Sequence, residues 1–211
     1  MASGMTYDSL VSDIQVYANR TDTYFVNQIP RFILLCENKI ARGVRNLGFI
    51  LPVTGNFPVA NPTFAKPARW RQTVSMNYTN AAGKRVFIYP RSYDFCRQYG
   101  ADQGANAPPA YYADYDYEHY FIAPTPDAGY AFEILFHQLP QPLDSTNQTN
   151  WTTQYAPQLI LYGCLVEAMT FLKNVDKMQE WKALYDAEVS GLAGEEAERA
   201  GDDRATKRVQ T

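Results

Sequence analysis

A mixed α+β fold, mainly helical, is what this sequence predicts: an antiparallel helical bundle with a β-rich antiparallel insertion and an extended C-terminal tail. Three observations predict it. The stretch Trp151 to Leu192 reads as two helices joined by a short turn. The stretch Phe49 to Ala68 carries Pro52, Gly55, Pro58, Pro62 and Pro67, which forbid a long helix, and alternating segments follow it. From Ala193 onward the only large apolar residue is Val209, so the end of the chain has nothing to bury and is expected to be mobile until it meets a partner. The resulting division is N-terminal helices at 1–50, an insertion at 51–147, a C-terminal helical hairpin at 148–194 and a tail at 195–211.

The hairpin is the organising element. In Pro157-Gln-Leu-Ile-Leu-Tyr-Gly-Cys-Leu-Val-Glu-Ala-Met-Thr-Phe-Leu172 apolar residues run almost all round the helical wheel, as in a helix covered on several sides. Pro157 suits a first helical turn, and Asn174 with Asp176 marks the break. The next period is Met178, Trp181, Leu184, Tyr185, Val189 and Leu192, an amphipathic helix that covers the first. Leu159, Val166, Met169, Trp181 and Tyr185 are the expected core, and Gly163 and Ala168 allow close backbone approach. No residue of the pair has the setting of a nucleophile or a metal ligand.

Earlier in the chain, Thr6 is an N-cap candidate before Leu10, Val11, Ile14 and Tyr17, and Asn19-Arg-Thr-Asp22 interrupts that helix. A second apolar stripe runs Phe25, Ile29, Phe32, Ile33, Cys36, Ile40, Val44 and Leu47. Pro30 inside it predicts a kink, or a single turn followed by a restart, and Gly48 is a natural stop. In the insertion, Arg69–Tyr78 and Lys84–Tyr89 flank the turn Asn80-Ala-Ala-Gly83 as a hairpin. Ser92 caps a short helix closed by Gly100, and after a flexible 101–109 the strands Tyr111–Tyr115, Tyr120–Ala123 and Tyr130–Leu139 follow.

Composition narrows the function classes. The net charge of −3 supplies no global attraction to nucleic acid, whereas 16 tyrosines and 3 tryptophans suit surfaces that are half wet, half covered. No run approaches the roughly 20 apolar residues of a membrane span, and the N-terminus has no basic flank or apolar stretch. The expectation is a soluble protein made in the cytosol. Cys36, Cys96 and Cys164 are odd in number and far apart, so free buried thiols are expected over disulfides or zinc. The Asn-x-Ser/Thr sequons carry no weight without a secretory signal.

Chemistry finds little purchase. His119 and His137 are the only histidines, and on a strand Asp114, Asp116 and Glu118 would face one way and His119 the other, which reads as a solvated charged face. Gly-x-Ser-x-Gly, Gly-x-x-x-x-Gly-Lys and Gly-x-Gly-x-x-Gly are all absent. No catalytic residue, cofactor or metal is assigned. Arg69, Arg71, Lys84, Arg85, Arg91 and Arg97 form the best electropositive set, read as a salt-bridged face or protein contact ahead of a DNA site. The alternative function is a carbohydrate-binding or glycan-hydrolysing protein, with Trp70, Tyr111 and Tyr117 as platform and Asp114, Asp116 or Glu118 as acids.

Four segments carry a resemblance: Met5-Thr-Tyr-Asp-Ser-Leu-Val-Ser-Asp-Ile, Ile29-Pro-Arg-Phe-Ile-Leu-Leu-Cys-Glu-Asn-Lys-Ile-Ala-Arg, Tyr120-Phe-Ile-Ala-Pro-Thr-Pro-Asp-Ala-Gly-Tyr, and Asn150-Trp-Thr-Thr-Gln-Tyr-Ala-Pro-Gln-Leu-Ile-Leu-Tyr-Gly-Cys-Leu-Val-Glu-Ala. They resemble head-to-tail adaptor proteins of tailed bacteriophages, also called connectors or head completion proteins. The resemblance implies a non-enzymatic virion component at the head–tail junction. It would form a homo-oligomeric ring, a dodecamer in that family, between the portal protein and a tail or nozzle protein. DNA would pass its channel without sequence-specific binding, and no membrane would be involved. The resemblance also places portal contacts on the tail, at Glu195, Glu196, Arg199, Asp203, Arg204, Lys207, Arg208 and Val209. The ring it implies accounts for the aromatic excess, with subunit contacts expected at Trp70, Tyr111, Tyr112, Tyr115, Tyr117 and Tyr162.

Overall fold

The computed structural model describes residues 4–43, 49–103 and 105–208, and for 101–103 and 196–208 the backbone path alone. It resolves into two compact units, one from Met1–Phe49 with Leu139–Thr211 and one from Ile50–Gln138.

The first unit is helical. Helix α1 (Tyr7–Ala18) starts where expected, because the Ser9 amide donates to Thr6 Oγ1 at 3.2 Å while the Thr6 amide donates to Ser9 Oγ at 2.9 Å. Asn19, left-handed at φ 49°, ends it. Of the two outcomes expected at Pro30, the restart occurs: α2 (Thr23–Val26) is one turn capped by Asp22, and α3 (Ile29–Gly43) carries Pro30 in its first turn, where a missing N–H costs nothing. Val44, Leu47 and Gly48 lie outside the described residues. After the insertion come α5 (Trp151–Tyr155), α6 (Pro157–Phe171) and α7 (Val175–Arg208). Asn150 caps α5, accepting from the Thr152 and Thr153 amides at 3.0 and 3.3 Å.

Helix α6 is the axis of this unit. Leu159, Ile160, Leu161, Cys164, Leu165, Val166, Ala168 and Met169 are all buried, so α1, α3 and α7 find apolar surface whichever side they cover. Each of the larger side chains contributes about 1.5–3 kcal/mol. A Cβ on Gly163 would stand 2.3 Å from Cys36 Sγ and 3.0 Å from the Tyr185 ring, so only glycine lets α3 and α7 close over α6 here. Trp181 is half-buried, stacked on Tyr162 at 5.8 Å and met edge-on by Tyr17 at 5.7 Å. Cys36, Cys96 and Cys164 are free and buried, as the sequence suggests.

Three features of this unit differ from expectation. Leu184, placed on the inward stripe by its spacing, is 45% exposed, because the covered arc of α7 is narrower than an i, i+3, i+4 count assumes. The segment 139–147, assigned above to the insertion, belongs here: Leu143 is buried in the helical core, and its amide donates to the buried Glu37 carboxylate at 3.2 Å, where Asn150 Nδ2 also donates at 2.6 Å. In place of an extended tail after Leu192, α7 continues to Arg208. Ala193, Ala197 and Ala200 with Glu195, Glu196, Glu198 and Arg199 are strong helix formers, and no proline stops the run.

The second unit is a seven-stranded sheet: β1 (Ile50–Asn56), β2 (Thr63–Ala65), β3 (Trp70–Thr79), β4 (Arg85–Pro90), β5 (Tyr111–Asp114), β6 (His119–Ala123) and β7 (Ala131–Gln138), in the order β1-β7-β3-β4-β5-β6-β2. One helix, α4 (Tyr93–Gln103), lies between β4 and β5 in sequence. The proline-rich start supplies the two edge strands, β1 with Pro52 inside it and the three-residue β2 between Pro62 and Pro67, which is where proline is tolerated and where it blunts open edges. The β3–β4 hairpin forms as expected, with Asn80 Oδ1 accepting from the Ala82 and Lys84 amides at 3.0 and 2.9 Å and Gly83 at φ +74°.

The sheet is antiparallel except at one seam. Tyr89 pairs with Tyr111 and Pro90 with Tyr112 in parallel, because α4 carries the chain across between the two strands. Ser92 Oγ accepts from the Phe95 amide at 3.3 Å as its cap, but Gly100 does not end the helix, which runs to Gln103. The sheet is curled into a half-barrel. Phe64 on the β2 edge lies 5.3 Å from Phe132 on β7, ring to ring, although four strands separate β2 and β7 in sheet order. Phe57, Met76, Tyr78, Ile88, Tyr112, Tyr120, Ile122, Ile134 and Phe136 fill the concave side, while Cys96 of α4 packs with Ala113, Phe121 and Ala123 on the other.

Candidate functional site

The Tyr-rich stretch, the strongest chemical candidate in the sequence, is built around a buried lysine. Lys66 follows β2, and its side chain is only 2% exposed. Its ammonium sits 3.7 Å above the Trp70 ring centroid and 5.2 Å from that of Tyr120, donates to the Asp116 carbonyl at 2.8 Å and pairs with Asp114 at 2.7 Å. An aromatic face, a carboxylate and a carbonyl replace the water the ammonium has lost. Trp70 Nε1 donates to Thr73 Oγ1 at 3.0 Å, and that hydroxyl lies 2.6 Å from the Tyr120 hydroxyl, whose pKa burial pushes up. A cavity of about 360 Å³ opens beside this cluster, lined by Lys66, Arg69, Trp70, Tyr117, Glu118 and His119 among others.

This arrangement takes apart the sugar platform. Lys66 covers the Trp70 face, and Tyr111 is held edge-on by Phe95 and Tyr99 at 5.1 and 5.0 Å, so of the three rings only Tyr117 is freely exposed. Two of the three acids are occupied too, and Glu118 is exposed. Asp114 holds Lys66. Asp116 accepts from the Glu118 and His119 amides at 2.7 and 2.6 Å and meets His119 Nδ1 at 3.0 Å. Burial works against the Asp116 charge, but those hydrogen bonds outweigh it and lower the pKa. His119 and Asp116 therefore face each other. The strand alternation that separates them in the sequence reading fails because residues 115–118 form the β5–β6 turn.

The basic set does not gather into one patch. Arg85 lies 3.6 Å from Glu133, Arg91 covers the Phe95 and Tyr111 rings at 5.8 and 5.5 Å, and Arg97 covers Phe121 at 5.8 Å. Arg71 and Arg91 share a second cavity of about 330 Å³ with Asp114, whereas Arg69 lines the first and Lys84 sits at the end of the hairpin turn. Among the described residues no three His, Cys, Asp or Glu side chains converge to hold a metal ion, and no helix is long and apolar enough to cross a membrane.

Surfaces therefore become the functional question. Of the expected subunit contacts, Tyr115 and Tyr117 are exposed; Trp70, Tyr111 and Tyr162 are partly covered by their own unit; and Tyr112 is buried in the concave core with its pKa raised by that burial, leaving no face for a neighbour. Leu159, Val166, Met169 and Tyr185 are buried, and Trp181 is half so. The side chains of the expected portal contacts from Glu196 to Arg208, and Val209 altogether, lie outside the described residues. Glu195 is exposed on α7.

One comparison bears on what these surfaces are for. The family model described as SU10 adaptor protein matches residues 5–210, across both units and the whole of α7. The chain belongs to that family. No curated protein matches it. Membership gives the chain a structural role as a phage head-to-tail adaptor. Sequence reasoning missed Lys66, whose only signal was a lysine wedged between β2 and Pro67 four residues before Trp70. It also missed Leu34 and Leu35 of α3, consecutive apolar residues that both fall off the inward stripe and are 45% and 44% exposed.

Proposed function

We propose that the adaptor assembles as a dodecameric ring between the portal protein and a tail or nozzle protein, and that the ring forms part of the channel through which DNA leaves the head without sequence-specific binding. The observation that carries this reading is the reach of the family match over 5–210, which includes both units and the C-terminal helix. The net charge of −3 suits a wall that must not retain DNA. Exposed apolar side chains on both units, among them Tyr17, Tyr24, Leu34, Leu35, Tyr115, Tyr117 and Leu184, suit a subunit whose surface is completed by copies of itself.

The portal contact belongs to the last part of α7. From Glu195 to Arg208 the helix adds about 20 Å at 1.5 Å per residue, enough to reach into a groove of a partner. Glu195, Glu196, Arg199, Asp203, Arg204, Lys207, Arg208 and Val209 are assigned to that contact. Deleting 195–211 tests it: the truncated chain should keep its tyrosine circular dichroism, give up only the helical signal of the residues removed, and lose binding to the portal. Undiminished portal binding by a folded truncation would overturn the assignment.

A further inference from the structure

We propose that neighbouring subunits meet through two charge-matched helical ridges of the helical unit: Arg31, Leu35 and Lys39 of α3 on one copy against Glu180, Leu184 and Glu188 of α7 on the next. The inference rests on the ring reading and names its subunit contact.

Both triplets follow i, i+4, i+8, so each is a straight ridge on its helix, with its charges about 12 Å apart and a leucine midway. Both leucines are half out in solvent, Leu35 at 44% and Leu184 at 45%. Because each ridge is symmetric in charge about its leucine, cation-leucine-cation meets acid-leucine-acid whether the helices cross parallel or antiparallel. Leu34, exposed beside Leu35, widens the first ridge, and Arg42 extends its positive charge. Among the described residues the guanidinium groups of Arg31 and Arg42 have no acid partner. Lys39, itself exposed, lies 3.2 Å from the partly covered Glu167, and Glu180 lies 2.8 Å from Lys177 in an exposed pair, so both ridges keep charge that a neighbour can reach. Ala183, Ala187 and Gly191, exposed next to the Leu184 ridge, let a second helix come close.

The ridges lie on different flanks of the unit, as a ring contact requires. Tyr185 of α7 turns toward α3, its ring 5.9 Å from Lys39 Nζ, while Trp181 turns toward α1 and meets Tyr17 at 5.7 Å. At 100° per residue, Leu184 and Glu188 fall beyond Trp181, on the α1 flank of α7 and away from α3. On α3 the buried residues Ile29, Phe32, Ile33, Cys36, Ile40 and Ala41 define the inward side, and Arg31 and Leu35 project from the opposite one. Two unlike patches on separate flanks make a heterologous contact, which repeats instead of closing as a dimer.

The test uses phage particles assembled with the full chain. Leu35→Cys/Leu184→Cys, both at exposed positions, treated with a short bis-maleimide should give a ladder of covalent multimers beyond the dimer, and either single variant should give at most dimers. Arg31→Glu/Arg42→Glu and Glu180→Lys/Glu188→Lys should each lower the copies incorporated per particle at least tenfold, and the four changes combined should restore them; circular dichroism of each purified variant checks folding. Wild-type rings in the particle, with no ladder and normal incorporation of both folded reversals, would overturn the inference and leave the ring reading standing. Wild-type particles lacking this chain at the junction would overturn the ring reading, and the inference with it.

Discussion

The helical unit and the β unit solve the burial problem in opposite ways. The first winds aliphatic side chains round one central helix, and Leu159, Ile160 and Leu165 of α6 need no particular ring geometry or hydrogen bond to be content. The second fills the hollow of a curled sheet with aromatic rings and one ammonium, a core whose members depend on each other's orientation: Trp70 on Thr73, Thr73 on Tyr120, Lys66 on Trp70. The lesson is that apolar pattern specifies most of the helical unit, the Glu37 clasp on Leu143 apart, while the β unit is specified by a few directional contacts between residues far apart in sequence. Accordingly, exposed leucines on charged ridges, free for a neighbour, belong to the unit that does not need them for its own core.

The comparison can be broken by perturbing one unit at a time. The largest effect is expected from Leu159→Ala, a fully buried side chain at the centre of α6, which should destabilise the helical unit by about 3–4 kcal/mol. Urea unfolding followed by the fluorescence of Trp151 and Trp181 in a Trp70→Phe background measures it, and an unchanged midpoint would show that α6 is not the axis. Next is Lys66→Met, which removes the ammonium over Trp70 and should cost the β unit about 1–2 kcal/mol, read by Trp70 fluorescence in a Trp151→Phe/Trp181→Phe background. No loss there would make the lysine a passenger of the aromatic core.

A smaller loss should follow Glu37→Gln, which keeps an acceptor for the Leu143 amide but gives up the charge and offers only one carboxyl-like oxygen, at about 1 kcal/mol. Its sharper readout is amide exchange at Leu143, which should speed up while exchange in the β unit stays as it was. Smallest is the acid response. Hydrogen bonds from Thr146 and Asn147 hold the Asp144 carboxyl below its ordinary value of 3.8, so its contribution is complete above that value and disappears as pH falls through the lowered folded value. Asp144→Asn should therefore lower the helical unit's stability at pH 7 and flatten its profile below about pH 4, at the foot of the ordinary carboxylate range, so that the difference from wild type closes as the pH falls.

The same contrast decides what was legible in the sequence. Local signals read correctly: the Thr6 cap, Pro157 opening α6, the Asn80–Gly83 turn, and the prolines of 52–67 that put β1 and β2 at the edges, while the restart at Pro30 is one of the two outcomes expected there. Each is fixed by neighbours within four or five positions. What escaped depends on distance along the chain or on local rules in competition. Glu37 clasps Leu143 from 106 positions away, the parallel seam at Tyr89 and Tyr111 needs the α4 crossover, and the curl that brings Phe64 to Phe132 belongs to the whole sheet. Past Leu192, helix propensity without an apolar face proved enough to continue α7, so the polar stretch taken for an extended tail is a helix as far as Arg208. Of the sugar platform, Trp70 is covered by Lys66 and Tyr111 by Phe95 and Tyr99, contacts that no local pattern announces, and Tyr117 alone of the three stays exposed.

The central claim is a subunit whose surface is finished by copies of itself at the junction between head and tail. Its most direct test is an asymmetric cryo-electron microscopy reconstruction of that junction in the assembled virion. A closed ring of this chain directly beneath the portal, with the end of α7 seated on portal density, is the result the account predicts. A junction built without this chain, or single copies of it scattered elsewhere on the particle, would contradict it.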